Sequence, residues 1–178
     1  MIEPSKKIIV NYRELSKIIN AHRTLGQKIV CTIGSWDILH IGHLRYLYKA
    51  KKLGNILVVG VDSDKAIKFY KKSPLRPVIP QEERMEMLSY QAFVDYITLI
   101  NDVDKKGWWH MKLIKKIKPD IFVATTKESY PDTQRKQIAK FCGYLKILPR
   151  QAKETSTTAI IERTFKKRLE YILNQTKI

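Results

Sequence analysis

Short runs of consecutive apolar residues alternate along this chain with longer stretches in which apolar residues return every three or four positions. The runs "KIVCTIG" (28–34), "NILVVGVDS" (55–63), "DYITLI" (95–100), "DIFVAT" (120–125) and "YLKILP" (144–149) read as buried strands. Helical spacing appears first in "YRELSKIINAHRTLG" (12–26), which places Leu15, Ile18, Ile19, His22 and Leu25 on one face and stops at Gly26. It returns in "HLRYLYKAKKLG" (43–54), in "QEERMEMLSYQ" (81–91) after Pro80, in "WWHMKLIKKIK" (108–118) ahead of Pro119, and in "DTQRKQIAKFCG" (132–143). A last helix is expected from about Ser156 through "TTAIIERTFKKRLEYIL". The lysine-rich stretch between the second strand and Pro80 reads as a basic, proline-bearing loop.

Strands that alternate with helices must be parallel and need cover on both faces, and right-handed crossovers then wind the helices to either side. The expected fold is therefore α/β, a Rossmann-like, doubly wound parallel sheet of about five strands with helices on both faces. No repeat or low-complexity linker interrupts the pattern. One domain over 1–178 is expected, with a helical run-in (1–27), a core (28–163) and a C-terminal helical extension (164–178).

Composition changes this picture in one respect. Apolar residues at 44% and charged residues at 29% are ordinary for a globular protein, but 34 basic against 17 acidic residues give a net charge of +17. Such an excess fits a nucleic-acid-binding module, because neutralised phosphates release counterions. The lysines are dispersed among "KAKK", "FYKK", "KLIKKIK" and "FKKR" rather than gathered in a tail, so nucleic acid is an unlikely partner and attraction of small anionic phosphates is the better use of the field. Two cysteines give no disulfide framework, no apolar run approaches the ~20 residues of a membrane span, and the first residues lack signal-peptide features. A cytoplasmic protein without a membrane partner is the expectation.

Candidate chemistry gathers at three places. In "GSWDILHIGHLRYL" (34–47) a strand turns into a helix, and ligands of doubly wound folds sit at that end of the strands. Gly34 permits close approach of a ligand to the backbone, Gly42 permits a tight entry into the helix, and the helix amino terminus attracts phosphate. His40 and His43 can face the same phosphoryl group there and donate to charge that grows in the transition state. One histidine as a satisfied buried group and the other as a helix-start residue is the bland alternative, and a zinc site with His22 or Cys31 lacks a recognised ligand spacing. No metal ligands are expected among these side chains. In "TSTTAIIER" (155–163), Ser156, Thr157 and Thr158 either cap the last helix or reach phosphate oxygens. In "YKKSPLRPVIPQEER" (70–84), Lys71, Lys72, Arg76 and Arg84 either reach a triphosphate or form a solvated face. Neither a Walker loop nor a G-x-G-x-x-G turn is present.

Together these stretches resemble the cytidylyltransferase-type nucleotidyltransferases, from about Lys28 to Arg163. The resemblance is carried by "GSWDILHIGHLRYLYKAKKLG", "ILVVGVDSD", "RPVIPQEERMEML", "VDYI", "KPDIFV" and "STTAII" in order. It is most like the heptose 1-phosphate adenylyltransferase and glycerol-3-phosphate cytidylyltransferase branches, and "YRELSKIINAHRTLGQKIV" resembles the run-in of the former. The HIGH letters also occur in class I aminoacyl-tRNA synthetases, but "YKKSP" is a poor and early echo of their Lys-Met-Ser-Lys-Ser loop. The resemblance implies catalytic roles for His40, His43 and Lys71 or Lys72. It implies nucleotide contacts by Gly34, Ser35, Trp36, Gly42, Arg84, Arg150, Ser156, Thr157 and Thr158, and acceptor contacts by Asp37 and Arg76. Asp37 falls in the family's F-D-x-x-H pattern, with Trp36 in place of phenylalanine.

The chain departs from the family after the fourth strand, where "ATTKESY" replaces a Gly-Asp sequence, and at "QAKET" before Ser156. The implied reaction is transfer of a nucleoside monophosphate from ATP or CTP, accompanied by Mg2+, to a small phosphorylated acceptor with release of pyrophosphate. ATP with a heptose 1-phosphate-like sugar 1-phosphate is favoured, and CTP with glycerol 3-phosphate or a similar alcohol phosphate is the alternative. A homodimer is compatible with this reading.

Overall fold

The computed structural model describes residues 3–71, 73–126 and 129–175. After a single 3-10 turn at Pro4–Lys7, the elements run α1 (Tyr12–Thr24), β1 (Ile29–Gly34), α2 (Ile41–Lys51), β2 (Ile56–Asp62), α3 (Asp64–Lys71), α4 (Gln81–Ser89) and β3 (Tyr96–Ile100). They continue α5 (Lys112–Ile117), β4 (Ile121–Ala124), α6 (Asp132–Ile138), β5 (Tyr144–Ile147) and α7 (Thr157–Gln175). The sheet order is β3-β2-β1-β4-β5 and every pairing is parallel. Strand order reverses on either side of β1, so the crevice beyond the carboxyl end of β1 is the topological switch point.

The period-2 alternation of the strands divides the core in two. Ile29 and Cys31 of β1 point to one face with Leu15 and Ile19 of α1, Leu113, Ile114 and Ile117 of α5, and Ile138 of α6. Val30 points to the other face with Tyr46, Leu47 and Ala50 of α2 and Met85 and Leu88 of α4. The expected run-in is therefore part of the core, since α1 supplies two fully buried side chains and Ile9 donates its N–H to Ile97 O at 2.8 Å.

Three local expectations need correction. The stretch after β2 is not loop from its start: Asp64–Lys71 forms α3, held by Ala66 and Ile67 against the core and by the Ser63 Oγ that accepts from Ala66 N. The helix expected from Trp108 begins only at Lys112, because Met111 sits in the left-handed region at φ 62°. Asp102 holds this turn by accepting from Trp109 Nε1 and Lys112 N. The helix expected after Pro131, α6, is shorter than its pattern, ending at Ile138. Among the described residues no helix is long and apolar enough to cross a membrane.

Candidate active site

The segment joining β1 to α2 is bent sharply by its own side chains. Trp36 and Ile38 both adopt positive φ, 51° and 48°, a conformation that costs an L-residue energy and is rare for a β-branched one. Two anchors hold it. Trp36 Nε1 donates to Gly60 O at 2.8 Å, which lays the indole across the end of the sheet. Gly34 gives the indole room, because a Cβ there would lie 3.1 Å from the Trp36 ring, closer than ordinary contact. The fully buried Asp37 carboxylate between the two strained residues accepts from Arg76 Nε at 2.5 Å and from Val78 N and Ile79 N, each at 3.0 Å.

His40 is the N-cap of α2, and its Nδ1 accepts from Gly42 N at 3.1 Å. With Nδ1 acting as an acceptor, the proton of the neutral ring lies on Nε2. A Cβ on Gly42 would meet the His40 ring at 3.0 Å and Ala152 Cβ at 3.2 Å, so any larger residue would press on both at the entry into α2. His43, one turn on, stacks against His40 with centroids 3.8 Å apart, and Trp36 meets its ring edge at 5.4 Å. Burial is the largest cause lowering both pKa values; His43 is pushed down to about 3, with His40 and Arg76 adding to the effect and Asp37 opposing it. Both rings are therefore neutral near pH 7. His43 Nδ1 is a buried polar atom without a hydrogen-bond partner.

The two rings line a cavity of about 600 Å3 at the switch point. Of the residues expected from sequence, Gly34, Ser35, Trp36, His40, Gly42, His43, Lys71, Arg76, Arg150, Ser156, Thr157 and Thr158 line it together. Lys71 ends α3 at its mouth, and its pKa is lowered by desolvation first and by Arg76 and Arg150, with Asp62 opposing. Lys72 lies outside the described residues.

Three expected contacts carry a different load. Arg84 does not line the cavity. Its guanidinium is fully buried and donates to the carbonyls of Ser35, Ile79 and Asp62 and to Asp64 Oδ1, tying the β1–α2 turn to β2, α3 and the segment before α4. The Thr157 hydroxyl is buried against the main-chain oxygen of Asp37. Asp37 itself is absent from the cavity lining, so it acts there through Arg76. Ser156 both lines the cavity and caps α7, accepting from Ala159 N at 3.1 Å.

The cavity also has a wall that sequence reasoning passed over. Thr125, Thr126 and Ser129 follow β4, and Gln151 and Thr155 lie in the run to α7. The available signal is position: the two segments follow β4 and β5, at the carboxyl ends of neighbouring strands on one side of β1, and in sequence they stand out only as departures from a motif. Among the described residues no carboxylate lines the cavity, and no group of His, Cys, Asp and Glu there could hold a metal ion. His22, weighed for zinc, is instead bonded to Gln27 and Tyr96, and Cys31 is in the core. The cavity thus has the chemistry to receive a polyanion, with three cations, two neutral imidazoles, a helix amino terminus and a ring of hydroxyls.

Comparison with known proteins agrees with this chemistry. The cytidylyltransferase-like family model matches residues 31–163. The bifunctional protein HldE of Nitratiruptor sp. is 36% identical over 160 residues, 90% of this chain and 32% of the relative. The bifunctional protein HldE of Helicobacter pylori is 36% identical over 149 residues, 84% of this chain and 30% of the relative. The chain thus spans about a third of the length of these relatives. The crystal structure of a lipopolysaccharide core biosynthesis protein from Thermoplasma volcanium superposes with a TM-score of 0.59 at 28% identity, over 71% of this chain and all of that one. Pantoate-beta-alanine ligase from Francisella tularensis, complexed with beta-gamma ATP and beta-alanine, shares the fold at a TM-score of 0.58 and 17% identity, over 82% of this chain and 67% of that one. The stacked histidine pair at the switch point, the strand order and the family match lead to one conclusion: the chain is a member of the cytidylyltransferase-like family of nucleotidyltransferases.

Proposed function

We propose that this chain transfers AMP from ATP to a sugar 1-phosphate resembling heptose 1-phosphate. An acceptor phosphate oxygen attacks the α-phosphorus in line, the new P–O bond forms, and the bond from the α-phosphorus to the bridging oxygen breaks to release pyrophosphate. No covalent bond to the protein is needed, so the work falls on positioning and electrostatics. The observation that carries the reading is the neutral, stacked His40–His43 pair in a cavity that also holds Lys71, Arg76 and Arg150. A neutral imidazole with its proton fixed on Nε2 donates to a phosphoryl oxygen without changing its protonation across the physiological range. The three cations balance the triphosphate, and the amino terminus of α2 adds its partial positive charge.

Magnesium enters with the triphosphate, as part of the substrate. The cavity offers it no carboxylate among the described residues, so its ligands would be phosphate oxygens and water. When bound, it supplies charge neutralisation along the phosphate chain.

ATP and a sugar 1-phosphate are favoured by the resemblance to the heptose branch and by the identity shared with the HldE proteins. The second reading, CTP with glycerol 3-phosphate or a similar alcohol phosphate, follows from the family itself. Pyrophosphate release measured with each triphosphate against a panel of sugar 1-phosphates and alcohol phosphates decides between them. Activity with ATP and a heptose 1-phosphate is expected. Turnover only with CTP would give the second reading, and silence across the panel together with salt-sensitive oligonucleotide binding would give a nucleic-acid module instead.

A further inference from the structure

Near the mouth of the cavity lies a buried carboxylate that the proposed reaction does not use. Asp62, the last residue of β2, is 7% exposed, and the Tyr70 hydroxyl on α3 donates to its Oδ2 at 2.7 Å. Burial first and the Asp62 carboxylate next push the Tyr70 pKa up, so the hydroxyl stays a protonated donor. The next residue along α3 is Lys71, which lines the cavity, and its Nζ lies 5.5 Å from the centre of the Tyr70 ring. Gly107 closes Tyr70 in, since a Cβ there would come within 3.3 Å of Tyr70 Cβ. The buried residues of α3, Ala66 and Ile67, lie in its first half, so its last turn is secured by Tyr70. A tether thus runs from the end of an inner strand, through a phenol, to the cavity cation that α3 carries.

The groups that face Asp62 are Tyr70 and Lys71 of α3, Arg84 of α4, Asp102 after β3, Tyr12 of α1 and Tyr130 ahead of α6. Of these six, Lys71 alone lines the cavity. The two charges support each other: Asp62 opposes the lowering of the Lys71 pKa, and Lys71 opposes the rise in that of Asp62. Burial nevertheless pushes Asp62 up to about 6, so its ionised form is a cost to the fold at neutral pH. Functional geometry is the usual reason for retaining such a cost. On the reading that the cavity receives a triphosphate, we propose that Asp62 and Tyr70 are positioning residues that hold Lys71 toward its phosphates, Tyr70 as the tether and the Asp62 carboxylate as the counter-ion.

Calorimetric titration of the full chain with inorganic tripolyphosphate tests this apart from turnover. At pH 8, Asp62→Asn and Tyr70→Phe are each expected to weaken binding roughly tenfold, because each leaves the Lys71 amine less well placed. Removing a negative charge beside an anion site would by simple Coulomb attraction tighten binding, so weaker binding in Asp62→Asn is a result that only positioning gives. In a Lys71→Ala background neither substitution should weaken binding further, since both act through that amine. At pH 5, where the wild-type carboxyl is itself protonated, Asp62→Asn and the wild type should bind alike; their ratio cancels the titration of the probe. Asp62→Asn relieves a buried charge and should melt higher at pH 8, so its loss of binding cannot come from unfolding. Unchanged or tighter binding in Asp62→Asn, a loss that persists in full in the Lys71→Ala background, or a wild type that binds no tripolyphosphate each overturns the proposal. If the coupling holds while no pair of triphosphate and acceptor turns over, the anchor stands and the proposed substrates fall.

Discussion

The Thr157 hydroxyl donates to the main-chain oxygen of Asp37 at 2.5 Å, across 120 residues of sequence. It joins the first turn of α7 to the strained turn between β1 and α2, and both are buried at that point. Two elements that line the cavity are thereby held in one frame. Thr157→Ala is expected to cost on the order of 1 kcal/mol of stability and to lower turnover more than nucleotide affinity, since it loosens positioning rather than removing a contact. Thr157→Ser keeps the hydroxyl and should recover most of both. Thermal melts and separate kcat and KM values on the two variants check this. Activity equal to wild type in Thr157→Ala would show that the frame does not depend on this bond.

Asp37 and Arg76 form the second joint of the same frame. The carboxylate is fully buried and the guanidinium is 7% exposed, and the pair also fixes Val78 N and Ile79 N. Removing one partner leaves the other charged and buried, which typically costs ~3–5 kcal/mol. Asp37→Ala is therefore expected to be much less stable than Thr157→Ala in chemical denaturation. Arg76→Lys retains the charge but not the fixed Nε geometry, and should fold while losing turnover.

The strands were legible because parallel strands buried on both faces are nearly continuous apolar runs, and the five runs are the five strands. Alpha 3 was not, since "DKAIKFYK" shows four charged residues and its burial rests on Ala66 and Ile67 alone. The histidine pair and the hydroxyls at α7 could be read because their chemistry is local: a cap, a turn and a helix start. Arg84 could not. Its acceptors are Ser35, Asp62, Asp64 and Ile79, four positions that only tertiary structure brings together, and from sequence it has the same appearance as a solvent-facing cation. The Thr125–Ser129 wall was hidden for a related reason, as it lies where a motif was missed rather than matched.

Two groups make opposite contributions to stability as pH changes. His43 has its folded pKa lowered, to about 3, so below its unfolded value near 6.5 the unfolded chain takes up a proton that the folded chain does not. This histidine therefore destabilises the fold progressively as pH falls from about 6.5 toward 3, and is neutral in effect above that window. His43→Gln should flatten the acid limb of a stability–pH curve while leaving stability at pH 8 little changed. An unchanged acid limb in that variant would place the penalty elsewhere.

Asp62 behaves the other way. Burial is the main cause raising its pKa to about 6, with the hydroxyl of Tyr70, which donates to it at 2.7 Å, and Arg84 opposing. The folded chain holds this proton more tightly than the unfolded one, so the group's contribution to stability is full below its unfolded value near 3.9, is lost as pH rises through about 6, and above that the ionised, desolvated carboxylate is a constant cost. Asp62→Asn still accepts from Tyr70 and carries no charge. It should raise the melting temperature at pH 8, do so less at pH 5, and have little effect below about pH 4, and melts across that range decide it.

The most direct test of the site lies in His43. Its ring is held by stacking on His40 and by the edge of Trp36, and it has no cation to hold in the resting protein, because it is neutral throughout the physiological range. Its contribution should appear where charge builds on the α-phosphoryl group. Removing one preorganised donor of that kind typically costs ~3–4 kcal/mol, roughly two to three orders of magnitude in rate. His43→Ala is expected to lose single-turnover rate on that scale while nucleotide affinity falls far less, because a group that acts on the transition state contributes little to ground-state binding. Titration of His43 should leave no inflection in the wild-type rate between about pH 6 and 8, since this ring does not protonate there. His43→Asn offers an amide donor at the same place and should recover part of the lost rate. If His43→Ala turns over like the wild type and only melts at a lower temperature, the ring is a packing element and stabilisation of the phosphoryl group falls to His40, Lys71, Arg76 and Arg150.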